Sequence, residues 1–306
     1  MRILLTNDDG IHAPGIEALY TALTDPTGEL GGPLAEVIWP VAPLTVQSAT
    51  SHGVTFHTPL MVSPETVSPT MSGVSVDGRP ADCVKLAICS LWPERFGPGS
   101  KPDLVISGMN AGANVGINVI YSGTVAAALE AAFLGVPAIA VSLHIGRGKT
   151  RFDIGARHAR RVLERIVRGG LGDSDDSWVK PHDCISINIP ICEDPVDPSL
   201  VPAGKIKPQW SSGDYGPPMA PAGADEALPL RVCPMNTHAL IDNYERRVSP
   251  GGDVYYWAAG GGLDFRSADP GTDVQAIFQR QITITPLRFD LTDHAKLGLW
   301  RRQLGV

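Results

Sequence analysis

Two hydrophobic periods alternate along residues 1–145, and no other feature limits the possible folds as much. Short apolar runs at 2–6, 37–41, 104–106 and 137–143 suit buried strands. Between them, Ile16, Leu19, Tyr20 and Leu23 recur at helical spacing, and 124–134 is rich in Ala and Leu, as a helix would be. The stretch 82–91 also reads as helix, although Val84, Leu86, Ile88 and Leu91 keep that period only in part. Strands that exchange with helices predict a mostly parallel sheet with helices on both faces.

Further on, 153–167 reads as a helix with Val162, Leu163, Ile166 and Val167 on one face, and 184–189 alternates as a strand. After Pro190 the texture changes. Residues 193–235 carry many prolines and few periodic runs, which predicts an irregular excursion that serves as an oligomerisation arm. Strand-like segments at 254–257 and 281–285 and a helix at 291–304 follow, and the glycine run 260–262 is too short to count as low complexity. The expected α/β organisation is a Rossmann-like core at 1–192 and a C-terminal extension with a hairpin and a helix at 193–306, together one domain.

Composition removes several function classes. With 43% hydrophobic and 19% charged residues, the chain can bury a sizeable core and is not disordered. A net charge of −7 and the lack of any Lys/Arg block argue against duplex nucleic acid as partner. No run of 18 apolar residues exists, so no membrane-spanning helix is expected. The N-terminal residues lack the basic region and cleavage site of a secretory signal. Five scattered cysteines without a CxxC pair read as reduced thiols in a cytoplasm.

Four segments could carry chemistry. Asn7-Asp8-Asp9-Gly10 follows the first strand, where open α/β sheets bind ligands. Hard divalent cations take oxygen ligands, and Mg²⁺ commonly takes one or two carboxylates plus substrate phosphate. The competing reading is an ordinary Asp-Gly turn. In the glycine-rich stretch 107–118, read as a loop after the third strand, Asn110, Asn114 and Asn118 recur every four residues. Glycine lets backbone approach a ligand, and Asn offers an oxygen to a metal and an NH₂ to phosphate. The spacing does not match the dinucleotide-binding fingerprint. Tyr121-Ser122-Gly123-Thr124 opens the Ala-rich helix, whose free N–H groups could cradle phosphate, the alternative being plain N-capping by Ser122. Finally, 47–52 places hydroxyls and His52 in a loop at the same sheet end; His12, His52 and His57 taken singly read as satisfied or exposed histidines.

These four segments, in this order, resemble the survival protein SurE family, the metal-dependent 5′/3′-nucleotidases. The run MRILLTNDDGIHAPGI at 1–16 looks like that family's opening almost throughout. Residues 107–114 and 121–128 look like its two later signatures, 78–83 like its segment entering a helix, and 271–277 and 284–287 like its C-terminal part. The resemblance implies a SurE-like fold and hydrolysis of nucleoside 5′- and 3′-monophosphates to nucleoside and phosphate. It implies one divalent ion per subunit, Mg²⁺ or Mn²⁺, held by Asp8, Asp9, Ser48 and Asn110. Phosphate contacts are implied at Asn114, Ser122, Gly123 and Thr124. Asp8 would be base or nucleophile, with Asn110 stabilising phosphoryl charge. Exchange of C-terminal elements in a homodimer or homotetramer is implied as well.

Two departures stand out. The family usually follows Ala-Pro with Asp-Arg-Asn, whereas Leu44-Thr45-Val46 follow Ala42-Pro43 here, and Arg79 stands where a Thr is common. The altered loop motivates one alternative, a non-catalytic nucleotide- or phosphate-binding module on a degenerate scaffold; the retained Asp8, Asp9 and Asn110 speak against it. An aspartyl-phosphate mechanism of the haloacid dehalogenase kind needs acids two apart, and Asp8 and Asp9 are adjacent.

Overall fold

In the computed structural model of the chain, residues 1–195, 220–259, 263 and 265–306 are described. Part of the excursion expected at 193–235 and all of the glycine run at 260–262 lie outside them. The first apolar run forms β1 (Arg2–Thr6), followed by α1 (Pro14–Thr24), β2 (Val37–Pro43), β3 (Val62–Thr66) and β4 (Ser72–Val76). Next come α2 (Pro80–Leu86), a π turn (Ala87–Leu91) and α3 (Trp92–Phe96), then β5 (Leu104–Ala111), α4 (Asn118–Tyr121), α5 (Gly123–Phe133) and β6 (Ala138–Leu143). The chain continues through α6 (Phe152–Arg168), β7 (Cys184–Ile189), β8 (Leu230–Val232), β9 (Tyr244–Val248), β10 (Val254–Ala258), α7 (Asp273–Phe278), β11 (Ile282–Leu287) and α8 (His294–Leu304).

Among the described residues, nine strands make one sheet in the order β3-β4-β2-β1-β5-β6-β7-β11-β8. β1 pairs in parallel with β2 on one side and β5 on the other, so the strand order reverses there. At such a switch point the loops at the carboxyl ends of neighbouring strands diverge and leave a crevice. β6 and β7 continue in parallel, while β11 returns antiparallel beside β7 and carries β8 on its outer edge. The mostly parallel sheet with flanking helices expected from the alternation is the fold found.

The periods explain the layers. Ile3 and Leu5 of β1 enter one core cluster and Leu4 the other, as a period of two requires. The first cluster holds the buried faces of α1 (Ile16, Leu19, Leu23) and α6 (Val162, Leu163, Ile166). The second holds α2 (Cys83, Val84) and α5, whose Ala127, Ala128 and Ala131 are fully buried and let the helix lie close to the sheet. Each fully buried Leu or Ile contributes roughly 1.5–3 kcal/mol by leaving water, which fixes the strand ends that carry the loops. α1 starts with Pro14, which needs no N–H bond there, and ends at Asp25 in a left-handed conformation.

Several local expectations need correction. The imperfect period of 82–91 is a π turn between two short helices: an extra residue per turn displaces the apolar positions after Leu86. The third strand does not stop at Ile106. β5 runs on to Ala111, with a register shift against β6 between Ser107 and Asn110, so the beginning of the supposed glycine loop is bulged strand. β8 lies in the stretch read as irregular. The hairpin expected in the C-terminal extension is that of β9 and β10, whereas β3, β4 and α7 were not expected; β3 is an exposed hairpin strand with Pro64 in it and no alternation to betray it. The hairpin of β9 and β10 stands apart from the large sheet with all ten of its strand residues exposed, and α8 buries none of its residues.

Candidate active site

The crevice at the ends of β1 and β5 holds the Asp8-Asp9 pair. The Asn7 side-chain NH₂ donates to the Gly10 carbonyl at 2.8 Å and closes the turn after β1. Gly10 sits at φ +98°, a backbone position that a side chain would strain. Asp8 is only 5% exposed. Its Oδ1 accepts the Thr124 hydroxyl at 2.5 Å, and its carbonyl accepts the Gln47 N–H at 2.8 Å. Burial pushes the Asp8 carboxyl up to about 6; the Thr124 hydrogen bond opposes this and the charge of Asp9 adds to it. Asp9 is half-buried, accepts the Ala111 N–H at 2.9 Å through Oδ2, and is also raised by burial.

Gly123 makes this arrangement possible. A Cβ there would meet Asp8 Cβ at 2.8 Å and Oδ2 at 2.9 Å, so any side chain would push the start of α5 away from the carboxylate. Ser122 caps α5 by accepting the Val125 N–H at 3.1 Å, the capping role that competed with phosphate binding in the sequence. Thr124 is fully buried and gives its hydroxyl to Asp8. Asn114 is buried and held by two other strands: its N–H donates to Asn188 Oδ1 at 2.7 Å and its side-chain NH₂ to Ser142 Oγ at 2.9 Å. In this structure these three side chains bond within the protein and brace the walls of the crevice.

Ser48 and Asn110 reach the pair through their chain neighbours. Ser48 is exposed on a turn directly after Gln47, which is bonded to Asp8. The far end of that turn is pinned where Ser51 donates its hydroxyl to the Ile120 carbonyl at 2.8 Å. Asn110, half-buried at the end of β5, precedes Ala111, which is bonded to Asp9; its NH₂ donates to the Gly112 carbonyl at 2.7 Å. Thr6 Oγ1 and Asn7 Oδ1 at the end of β1, and Ser107 Oγ in mid-β5, are buried without a hydrogen-bond partner among the described residues. Among the described residues no three His, Cys, Asp or Glu side chains gather anywhere. Carboxylate, hydroxyl and amide oxygens, which Asp8, Asp9, Ser48 and Asn110 carry, are hard donors of the kind Mg²⁺ or Mn²⁺ takes, unlike the nitrogen and sulfur donors of structural zinc.

His52 is not near this set by any bond. Its Nε2 lies 2.8 Å from Glu130, which Lys85 also reaches at 2.7 Å, and its ring stacks on Phe133. His12 lies 3.3 Å from Glu65. Sequence reasoning missed the residues that hold the walls. Ser142 and Asn188 fix Asn114. The buried Asp273 accepts N–H groups from Gly116 and Asn236, each at 2.8 Å, and so ties the asparagine segment to α7. Only the match at 271–277 pointed toward Asp273. Beside Asp9 opens a cleft of about 520 Å³ walled by His12, Leu44, Thr45, Val46, Ala111 and Phe152.

Comparison with known proteins gives a consistent outcome. The family model described as Survival protein SurE matches residues 3–208. The 5′-nucleotidase SurE of Desulforudis audaxviator is 39% identical over 303 residues, covering 99% of this chain and 97% of the relative. That of Syntrophobacter fumaroxidans is 36% identical over 303 residues, covering 98% and 99%. The crystal structure of the SurE protein from Aquifex aeolicus superposes with a TM-score of 0.70 at 28% identity, covering 99% of this chain and all of that one.

Proposed function

The chain belongs to the survival protein SurE family, and from that premise we propose that it is a metal-dependent nucleotidase that hydrolyses nucleoside 5′- and 3′-monophosphates to nucleoside and phosphate. The observation that carries this reading is the convergence on Asp8 and Asp9 of groups from distant parts of the chain: the Thr124 hydroxyl, the Gln47 N–H and the Ala111 N–H. Burial and the neighbouring like charge raise the Asp8 carboxyl, and a carboxylate perturbed in this way at a sheet-end crevice is characteristic of functional sites.

Asp8, Asp9, Ser48 and Asn110 would hold one divalent ion per subunit, Mg²⁺ or Mn²⁺. Such an ion supplies the positive charge that draws the phosphoryl oxygens and acidifies water at neutral pH. Thr124 fixes the Asp8 carboxylate through Oδ1, and that carboxylate would serve as base or nucleophile. Asn110 offers its amide to developing negative charge, and the start of α5, from Ser122 through Gly123 to Thr124, with Asn114 behind it, shapes the phosphate end of the crevice. The relatives, named as nucleotidases, give no support to a non-catalytic binding module.

The hairpin and α8 form the contact in a homodimer or a dimer of dimers. Support comes from Tyr256 and Trp257, 59% and 62% exposed, and Trp300, 56% exposed, which are residues favoured in interfaces. A cytoplasmic setting fits the five free thiols. The decisive assay is phosphate release from a panel of nucleoside monophosphates with and without Mg²⁺ or Mn²⁺. Release that depends on the ion is expected; no release from any nucleotide with either ion would overturn the reading.

A further inference from the structure

Asp9 separates two different surfaces. On one side lie Asp8 and the polar start of α5; on the other is the cleft of about 520 Å³. Pockets of this size commonly hold small organic ligands. Its walls come from three parts of the fold: His12 at the start of α1, Leu44, Thr45 and Val46 after β2, and Phe152 at the start of α6. Leu44 and Val46 are 45% and 62% exposed, so two branched aliphatic side chains stand in solvent next to a carboxylate centre. Of the lining side chains, only Asp9 is a carboxylate, and no Lys or Arg is among them. His12 is set at the rim by Glu65, which Ser75 in turn holds through a hydroxyl hydrogen bond of 2.7 Å.

We propose that this cleft is the leaving-group subsite of the nucleotidase, an inference that rests on the function proposed above, and that Leu44, Val46 and Phe152 make it select an uncharged nucleoside. The heterocyclic base is flat and largely apolar on its faces, and burying it against aliphatic and aromatic walls removes both surfaces from water. A leaving group that carries further phosphates would set its charge against Asp9 and apolar walls with no cationic side chain to pair with it. The Leu44-Thr45-Val46 departure is thereby a wall of the substrate site, and it alters what is bound without touching Asp8.

The test uses the full chain with Mn²⁺, AMP as the nucleotide probe and glycerol 2-phosphate as a probe without a ring. The double variant Leu44→Ser/Val46→Ser removes two exposed side chains, so it leaves the core and the local charge intact. The ratio of kcat/KM for AMP to that for glycerol 2-phosphate is expected to fall about tenfold, mainly through KM for AMP, the scale at which small apolar contacts discriminate substrates. Calorimetry with adenosine and metal-free protein should show weaker binding in the double variant by a similar factor. An unchanged ratio together with unchanged adenosine binding would overturn the subsite. If the parent released phosphate from neither probe, the nucleotidase reading would fall. Adenosine binding weakened by the double variant would still uphold the cleft.

Discussion

The sheet end that carries Asp8 and the β9–β10 hairpin differ in where their side chains find partners. Around Asp8 partners converge from distant parts of the chain: Thr124 from α5, Gln47 from the loop after β2 and a buried strand beneath. In the hairpin, Tyr255, Tyr256 and Trp257 are 40%, 59% and 62% exposed, and among the described residues their strands pair only with each other. A lone two-stranded hairpin is marginal in water. The first region is thus densely bonded to its own chain, whereas the second carries aromatic surface that its own chain leaves exposed. The proposed chemistry and the proposed assembly surface fall in separate parts of the chain, and each can be perturbed alone.

The largest effect should come from Asp8→Asn. The amide keeps an oxygen for Thr124 but loses the charge and the basic group, so phosphate release should drop by about 10²–10⁴-fold while the thermal melt persists. A variant as active as the parent would separate the sheet end from the chemistry altogether. The mirror experiment is the double variant Tyr256→Asp/Trp257→Asp. Two buried charges at an aromatic contact should weaken association by about a hundredfold or more, read by sedimentation velocity. A parent chain that already sediments at 32.5 kDa at micromolar concentration would remove the contrast from the other side.

A third perturbation sharpens the contrast within the core. His144 is 1% exposed, its ring lies edge-on to Phe278, and burial lowers its pKa from 6.5 to about 4. The unfolded chain protonates this histidine near its ordinary value and the folded one does not, so its contribution is complete above pH 6.5 and is lost as pH falls toward 4. Between pH 6.5 and 5 the parent should lose about 2 kcal/mol through this group, read as a fall in urea midpoint that His144→Leu does not share. The smallest effect is expected for Thr124→Val, which removes the hydroxyl from Asp8 and should cost about 1 kcal/mol in urea unfolding without altering sedimentation. A change in sedimentation there would mean that the sheet end and the arm are coupled.

What sequence could reveal followed from how local each signal is. β1 and β7 were legible because runs such as Ile3-Leu4-Leu5 need no partner to be recognised. β5 was cut short because Gly108 and Asn110 look like loop, and only pairing across to β6 makes them a bulged strand. β3 and β8 have no pattern of their own and exist through a neighbouring strand. In the site, Asp8 and Asp9 could be read because two acids follow a strand. The Thr124 bond to Asp8 spans 116 residues, and the anchors Ser142 and Asn188 are unremarkable polar positions inside strands, so neither left a local trace. The capping use of Ser122 was visible as a rival to phosphate binding, since the same residue type serves both.

Asp273 has a consequence for the order in which the protein matures on the ribosome. Its carboxylate accepts the Gly116 N–H across 157 residues of chain. Translation at 5–20 residues per second therefore leaves the asparagine segment without that anchor for about 8–30 s, although the strands on either side of it have already emerged. The nascent chain can assemble its parallel strands early and give Asn114 its partners Ser142 and Asn188, but the Gly116 end of the segment is tied down only when α7 arrives. The asparagine segment is therefore fixed in two stages during synthesis, its Asn114 end first and its Gly116 end last.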